Sequence, residues 1–469
     1  MSKPLVVISC PIDTFSGYGA RSRDIVKALF KTGKYDIKVL PQRWGNTPYG
    51  ALNPEIAEEK QILDNYYPAP QLQSQPDVWV QITVPNEFQS VGKYNIGITA
   101  GIETTLCAPT WIEGINRMNL TLVSSEHAKK VFESTGFEKR NKQTNQPEGN
   151  IKIEKPIQVL FEGADLNKYF PIPDEEIPGD DLVLELDEIK ESFCFLFVGH
   201  WLQGGVGEDR KNVGLMIRLF LETFKNKKDA PALILKVSHG ACSIMDREEV
   251  LKKIDIIRNE VKGTLPNLYL LHGELEDTQM NYLYNHEKVK AMLSFTKGEG
   301  FGRPLLEFTL TAKPLLASGW SGHLDFLDPE FANLLPGEVK AVDKSAVNEF
   351  LLEQSGWFNI DQGHTIGMMK DVFENYKKFI PKAKQLAFRN RQNFSLDKMT
   401  EKLDTIFEAF IPKKIELKLP KIDKIESHPS TELLDLIGTP TTGKLVIAAT
   451  IPGKCAAPPA PAIITFKPL

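Results

Sequence analysis

The sequence predicts an α/β protein built from two doubly wound domains in succession. Three observations predict it. Short apolar runs alternate with longer amphipathic stretches, the pattern of βα units wound on parallel sheets. The alternation pauses at a stretch rich in proline and acid and then resumes. And 469 residues exceed what one ordinary hydrophobic core accommodates. Hydrophobic residues at 42% and charged residues at 25% are the proportions of a chain that folds.

In the first half, apolar runs predict strands at Leu5 to Cys10, Ile37 to Leu40, Val78 to Val84, Tyr94 to Thr99, Leu120 to Ser124 and Ile157 to Phe161, with a helix following Gly17 and Gly19. The segment 137–155 is polar and reads as an exposed loop. Residues 170–191, with Pro171, Pro173 and Pro178 among many acids, read as the connection between domains. A second series of strands is expected at Phe193 to Gly199, Ala232 to Val237, Asn267 to Leu271, Ala291 to Phe295 and Pro314 to Ala317. The expected division is 1–175, 176–361, a helical segment over 362–411 that packs back across the domains, and an extended tail over 412–469.

A formal net charge of −5 supplies no general attraction for nucleic acid or an anionic membrane. The five cysteines, Cys10, Cys107, Cys194, Cys242 and Cys455, are scattered, with no C-x-x-C and no zinc-ligand spacing. Met1 leads straight into an apolar run without the three-part layout of a signal peptide, and no window is long and apolar enough to span a bilayer. The expected location is cytoplasmic.

The most informative string is Gly298-Glu299-Gly300-Phe301-Gly302-Arg303-Pro304-Leu305-Leu306-Glu307, between an expected strand and an expected helix. Its glycines let the backbone turn sharply and approach a ligand, and Pro304 suits a first helical turn. The free amides of such a turn attract phosphate. Glu299 and Glu307 are carboxylates able to accept hydrogen bonds from sugar or ribose hydroxyls. The string, with Lys313-Pro314-Leu315-Leu316-Ala317-Ser318-Gly319-Trp320-Ser321-Gly322 after it, resembles the E-x7-E signature of retaining GT-B glycosyltransferases of family 4. GT-B denotes two Rossmann-like domains facing each other across a cleft.

The resemblance implies that Glu299 contacts the transferred sugar, that backbone at Phe301, Gly302, Leu305 and Leu306 meets sugar and distal phosphate, and that Glu307 holds the ribose. It also implies a first-domain loop that closes over the donor phosphates, here Gly17, Tyr18 and Gly19. Family members carry an arginine at a strand end and a lysine further on, two cations for the diphosphate leaving group. This chain has His200 in place of that arginine, so the resemblance assigns the phosphate to Lys211, with Arg210 as second cation. Leu271-His272-Gly273-Glu274-Leu275 corresponds to the region where the family contacts the nucleobase through backbone, which points to Gly273 and Leu275; a plain loop fits the same residues. His272 reads as a structural histidine.

Where relatives carry a histidine near a first-domain strand end, the nearest ionisable group here is Glu103. It either orients or deprotonates an acceptor hydroxyl or only caps the Thr104-Thr105 turn. The chain has no Asp-x-Asp, in keeping with chemistry that needs no metal or other cofactor. The expectation is a glycosyltransferase moving a sugar with retention from a nucleotide-diphosphate sugar to a glycan, lipid or small molecule. Two readings stay beside it, a modified DNA base as acceptor, which the acidic charge disfavours, and a nucleotide-sugar-binding protein without turnover.

Overall fold

The computed structural model describes residues 3–69, 72–140, 146–173, 176–240 and 242–413. In chain order the first unit comprises β1 (Leu5–Cys10), α1 (Gly17–Thr32), β2 (Asp36–Pro41), α2 (Ala57–Asp64), β3 (Val78–Ile82), β4 (Tyr94–Thr99), α3 (Pro109–Arg117), β5 (Leu120–Val123), α4 (Glu126–Ser134), β6 (Gly136–Arg140), β7 (Pro147–Lys152) and β8 (Ile157–Val159). Six of these strands form a parallel sheet in the order β2-β1-β3-β4-β5-β8. Helices cover both faces, so Val6, Val7 and Ile8 of β1 are all fully buried, which is why the strand reads as a continuous apolar run.

The second unit runs through α5 (Asp181–Asp187), β9 (Cys194–His200), α6 (Val213–Phe224), β10 (Ala232–Ser238), α7 (Ile244–Glu260), β11 (Leu268–Leu271), α8 (Asp277–Asn285), β12 (Val289–Ser294), α9 (Arg303–Thr309), β13 (Leu315–Ser318) and β14 (Asn333–Leu335). Its parallel sheet has the order β11-β10-β9-β12-β13-β14. The connections leave β9 and β12, which are neighbours, in opposite directions. A crevice therefore opens outside their carboxyl ends, where doubly wound sheets bind ligands. The antiparallel pair β15 (Gly337–Ala341) and β16 (Gly356–Ile360) follows.

The last elements among the described residues are α10 (Gln362–Glu374), capped by Asp361, then α11 (Ile380–Asn393) and α12 (Leu396–Phe410), capped by Ser395. Helix α12 returns to the first unit, where Lys34 at the end of α1 pairs with Asp404 and Glu408. Ala164 and Ser395 form a bridge beside it. No described helix is long and apolar enough to cross a membrane.

The two doubly wound units are those the alternation predicts. Three local expectations differ. Gly17 and Gly19 lie in the first turn of α1, with Ser16 as its cap, rather than ahead of the helix. The polar segment 137–155 contains a hairpin, β6 with β7, whose Phe137 and Ile151 face each other and pack toward the core. With one apolar residue per strand turned inward and polar residues elsewhere, its period is too diluted to read. The connection 170–191 carries α5, begun by Asp180 as cap. Cys455 and the tail from 414 lie outside the described residues. Cys10, Cys107 and Cys194 are buried free thiols and Cys242 is half-buried and free.

Candidate active site

The site is assembled from loops at the carboxyl ends of strands in both sheets. After β9 the chain turns at Asn212, a left-handed residue at φ 58°, before entering α6. Asparagine tolerates that conformation better than most residues. The turn leaves Arg210 and Lys211 ahead of the helix, and Asp209, fully buried, accepts the Val213 amide from below at 3.3 Å.

The neighbouring strand β12 delivers Lys297, Gly298 and Glu299 against that turn. The Lys297 amide donates to the Arg210 carbonyl at 2.7 Å, and the buried Lys297 ammonium reaches Asn359 and Glu208. The Glu299 amide donates to Ser321 Oγ at 2.9 Å, and its carbonyl accepts from the Gly322 amide at 2.9 Å. Glu299 is thus fixed at its backbone from two sides.

Its side chain meets the cations. Lys211 Nζ lies 2.6 Å from Glu299 Oε1, and Arg210 Nη1 lies 3.4 Å from Oε2 while donating to the Gly298 carbonyl at 2.9 Å. On the other side Arg210 is 3.5 Å from Glu103 Oε1 of the first unit. Burial opposes charge on Glu299, but attraction from Lys211 and Arg210 and the hydrogen bond from Lys211 outweigh it and hold the carboxyl down to about 2. Two cations and two anions thus form one compensated cluster spanning both units.

Glycine makes the approach of the units possible. Ser124 Oγ donates to the Gly300 carbonyl at 3.0 Å, and a methyl added at Gly300 would stand 2.6 Å from the Ala100 carbonyl oxygen. Real Cβ atoms do not come so close, so the contact excludes any side chain. Gly298 is pressed in the same way against the backbone at Glu103.

Glu307 has different partners. Arg303 Nε donates to its Oε1 at 2.8 Å and the Tyr284 hydroxyl to its Oε2 at 3.4 Å. Arg303 also grips Asp24 of α1. Burial raises the Glu307 carboxyl to about 7, with Arg303 pulling against the rise. The two glutamates therefore sit at the two ends of one short turn without a shared partner. Gly302, at φ 95°, caps α9 between them, and its carbonyl accepts the amides of Leu305 and Leu306. Those two amides are engaged inside the helix, and Phe301 turns its ring into the core against Phe326.

The remaining expected residues lie on the same rim. Tyr18 shares a hydrogen bond with Thr99 Oγ1 at 2.9 Å and accepts the Ala100 amide at 3.1 Å, so the first turn of α1, with Gly17 and Gly19, is joined to the end of β4. His200 is 3.3 Å from Ser238 Oγ at the end of β10. The Gly273 carbonyl accepts from Lys236 at 2.6 Å, and Leu275 packs on the core beside it. His272 is buried with its Nε2 2.6 Å from Asp246, a structural role. Sequence reasoning passed over Arg303 and Asp24, which meet only across the units, and Glu162, a buried carboxylate after β8 on which Arg21 and Arg303 act. An acid directly after a strand, as in Phe161-Glu162-Gly163, is the signal that marks the last of these.

No protein-family model matches the sequence, and no curated protein does. Solved structures match over nearly the whole described chain. A sucrose-phosphate synthase from Thermosynechococcus elongatus is 11% identical, with 87% of this chain and 98% of that one covered, at a TM-score of 0.57. Anabaena Alr3699/HepE in complex with UDP-glucose is 14% identical, covering 87% and 100%, at 0.54. A glycosyltransferase from Rickettsia africae is 11% identical, covering 88% and 100%, at 0.53. At such identities the likeness establishes the architecture, and the architecture of this chain is the GT-B fold of two facing Rossmann-like units.

Proposed function

We propose that the chain is a glycosyltransferase that moves a sugar, with retention and without a metal ion or other cofactor, from a nucleotide-diphosphate sugar to an acceptor held by the first unit. The observation that carries this reading is the Arg210–Lys211 pair on Glu299, at the crevice between β9 and β12 and against the first unit. A diphosphate leaving group gains negative charge as the glycosidic bond stretches. Two pre-placed cations stabilise that charge more in the transition state than in the ground state.

In this reading the donor diphosphate replaces carboxylates as partner of Arg210 and Lys211. Glu299, fixed at its backbone, accepts from hydroxyls of the transferred sugar. Glu103, released from Arg210 by the phosphate, is free to orient the acceptor hydroxyl. Glu307 accepts from the ribose hydroxyls through a carboxylate lone pair that Arg303 does not engage, and backbone at Phe301, Gly302, Gly273 and Leu275, with Gly17, Tyr18 and Gly19, encloses the rest. His200 flanks the same crevice. The likeness to Anabaena HepE, solved with UDP-glucose, supports a UDP-sugar as the first donor to try. Retention follows from the family resemblance alone, with the leaving phosphate taking the acceptor proton on the same face.

The test is release of free sugar from UDP-sugars by the purified chain in the presence of EDTA. Turnover should persist, and Lys211→Ala and Glu299→Ala should each lower it by about 100-fold or more, the scale set by losing one pre-organised stabiliser of transition-state charge. Chelator-sensitive turnover, or near-normal rates in folded variants, refutes the scheme.

A further inference from the structure

We propose that the loop 42–50 is the acceptor-binding element of the first unit and that it takes a pyranose ring, stacked on Trp44. The inference rests on the glycosyltransferase reading for the word acceptor, but the sugar site itself is tested independently of it. The indole of Trp44 lies on the Tyr18 ring with centroids 4.1 Å apart and planes at 25°. Tyr18 is bonded to Thr99 and Ala100 at the end of β4, and Ala100 is the backbone that meets Gly300. Trp44 therefore stands on the first unit's side of the cleft, on a ring held by two hydrogen bonds.

The loop bearing it is built rather than loose. The Gln42 amide donates to the Cys10 carbonyl at 2.8 Å, Phe15 donates to the Pro48 carbonyl at 3.1 Å, and Gly50 donates to the Asp13 carbonyl at 3.0 Å. Leu52 donates to the Asp13 carboxylate at 2.9 Å. Such anchoring removes most of the ordering cost of binding.

Among the tryptophans Trp44 stands apart. Trp79, Trp111, Trp201 and Trp357 are buried, and Trp320, though half-buried, is stacked on Phe358 with the His127 ring at its edge. A partly open indole beside a cleft is a large rigid apolar face gained at little conformational cost. A pyranose fits it, because its axial C–H groups make an apolar face while its hydroxyls ring the edge. The neighbours of Trp44 suit that edge, since Gln42, Arg43 and Asn46 are exposed and polar. The Arg43 guanidinium lies 5.9 Å above the Tyr49 ring. A lipid tail would instead need a continuous apolar surface, which this polar loop does not offer.

The experiment titrates the full chain with methyl pyranosides of glucose, galactose and mannose and reads tryptophan emission, with sorbitol as a control that lacks the ring. At least one pyranoside should give a saturable change that sorbitol does not. Trp44→Ala should abolish it or raise the apparent Kd about 10-fold, as expected for about 1.4 kcal/mol of stacking, and Trp44→Phe should keep part of the affinity when binding is followed by calorimetry. UDP is added in a separate arm, where its stabilisation of the chain against heat should survive Trp44→Ala and so shows the variant folded. Wild-type emission indifferent to all three pyranosides, or unaltered pyranoside binding in Trp44→Ala, overturns the inference. Failure of UDP to stabilise the wild type counts against the donor site alone.

Discussion

Glu299→Gln keeps the side chain's shape and removes its charge, and the structure sets the size of the effect. The folded carboxyl is held at about 2 against an ordinary 4.5. That difference of about 2.5 units corresponds to roughly 3 kcal/mol in favour of the folded chain at neutral pH. A group whose folded pKa is depressed contributes above its unfolded pKa, so this stabilisation is complete above pH 4.5 and disappears as pH falls toward 2. Glutamine should therefore lower stability at pH 7 by about 3 kcal/mol, and Lys211 and Arg210, left facing each other without the carboxylate, add to the loss. Glu307 has the opposite sign. Its folded carboxyl is raised to about 7, so folding favours its neutral form and stability falls as pH rises from 4.5 to 7. The assay is urea unfolding at fixed protein concentration from pH 7 down to pH 2.5, for the wild type, Glu299→Gln and Glu307→Gln. The first variant should lose part of the acid limb of the profile, and the second should lose the decline between pH 4.5 and 7. A Glu299→Gln midpoint equal to the wild type at pH 7, with an unchanged acid limb, would refute the account of the cluster.

Two further perturbations probe the contact between the units. Gly300→Ala puts a methyl against the Ala100 carbonyl, a backbone group with no flexible end to yield; it should cost about 1–3 kcal/mol and speed amide exchange around Ala100 and Ser124, and unchanged exchange there would contradict it. Asp24→Asn removes the anion that Arg303 grips across the units; a loss of about 3 kcal/mol is expected, smaller when combined with Arg303→Met, and strict additivity of the two in a double-mutant cycle would show that the pair is not coupled.

How much of this was legible in sequence follows from how each feature is encoded. Strands buried on both faces, such as β1 and β9, announce themselves as unbroken apolar runs, and their alternation with amphipathic helices gives two parallel sheets. The glycine turn was legible because only glycine meets its steric demands, and Glu299 travels with it. The hairpin β6–β7 was not, because its inward residues are too few to set a period. Asp24 and Arg303 are 279 positions apart and Trp44 and Tyr18 are 26 apart, so no window contains either pair.

The sequence by itself determined the fold class, the position of the turn that carries Glu299, and the presence of Arg210 and Lys211 just before a helix, since each depends on local pattern and backbone sterics. Only the tertiary structure decided the partners. It brought Glu103 onto Arg210, gave Glu307 to Arg303 and Tyr284, and drew the Leu305 and Leu306 amides into α9. The physical reason is that charge pairing and burial are set by distance in space. Those distances are fixed by which strand ends the sheet order makes adjacent and by how closely glycine lets the two units approach.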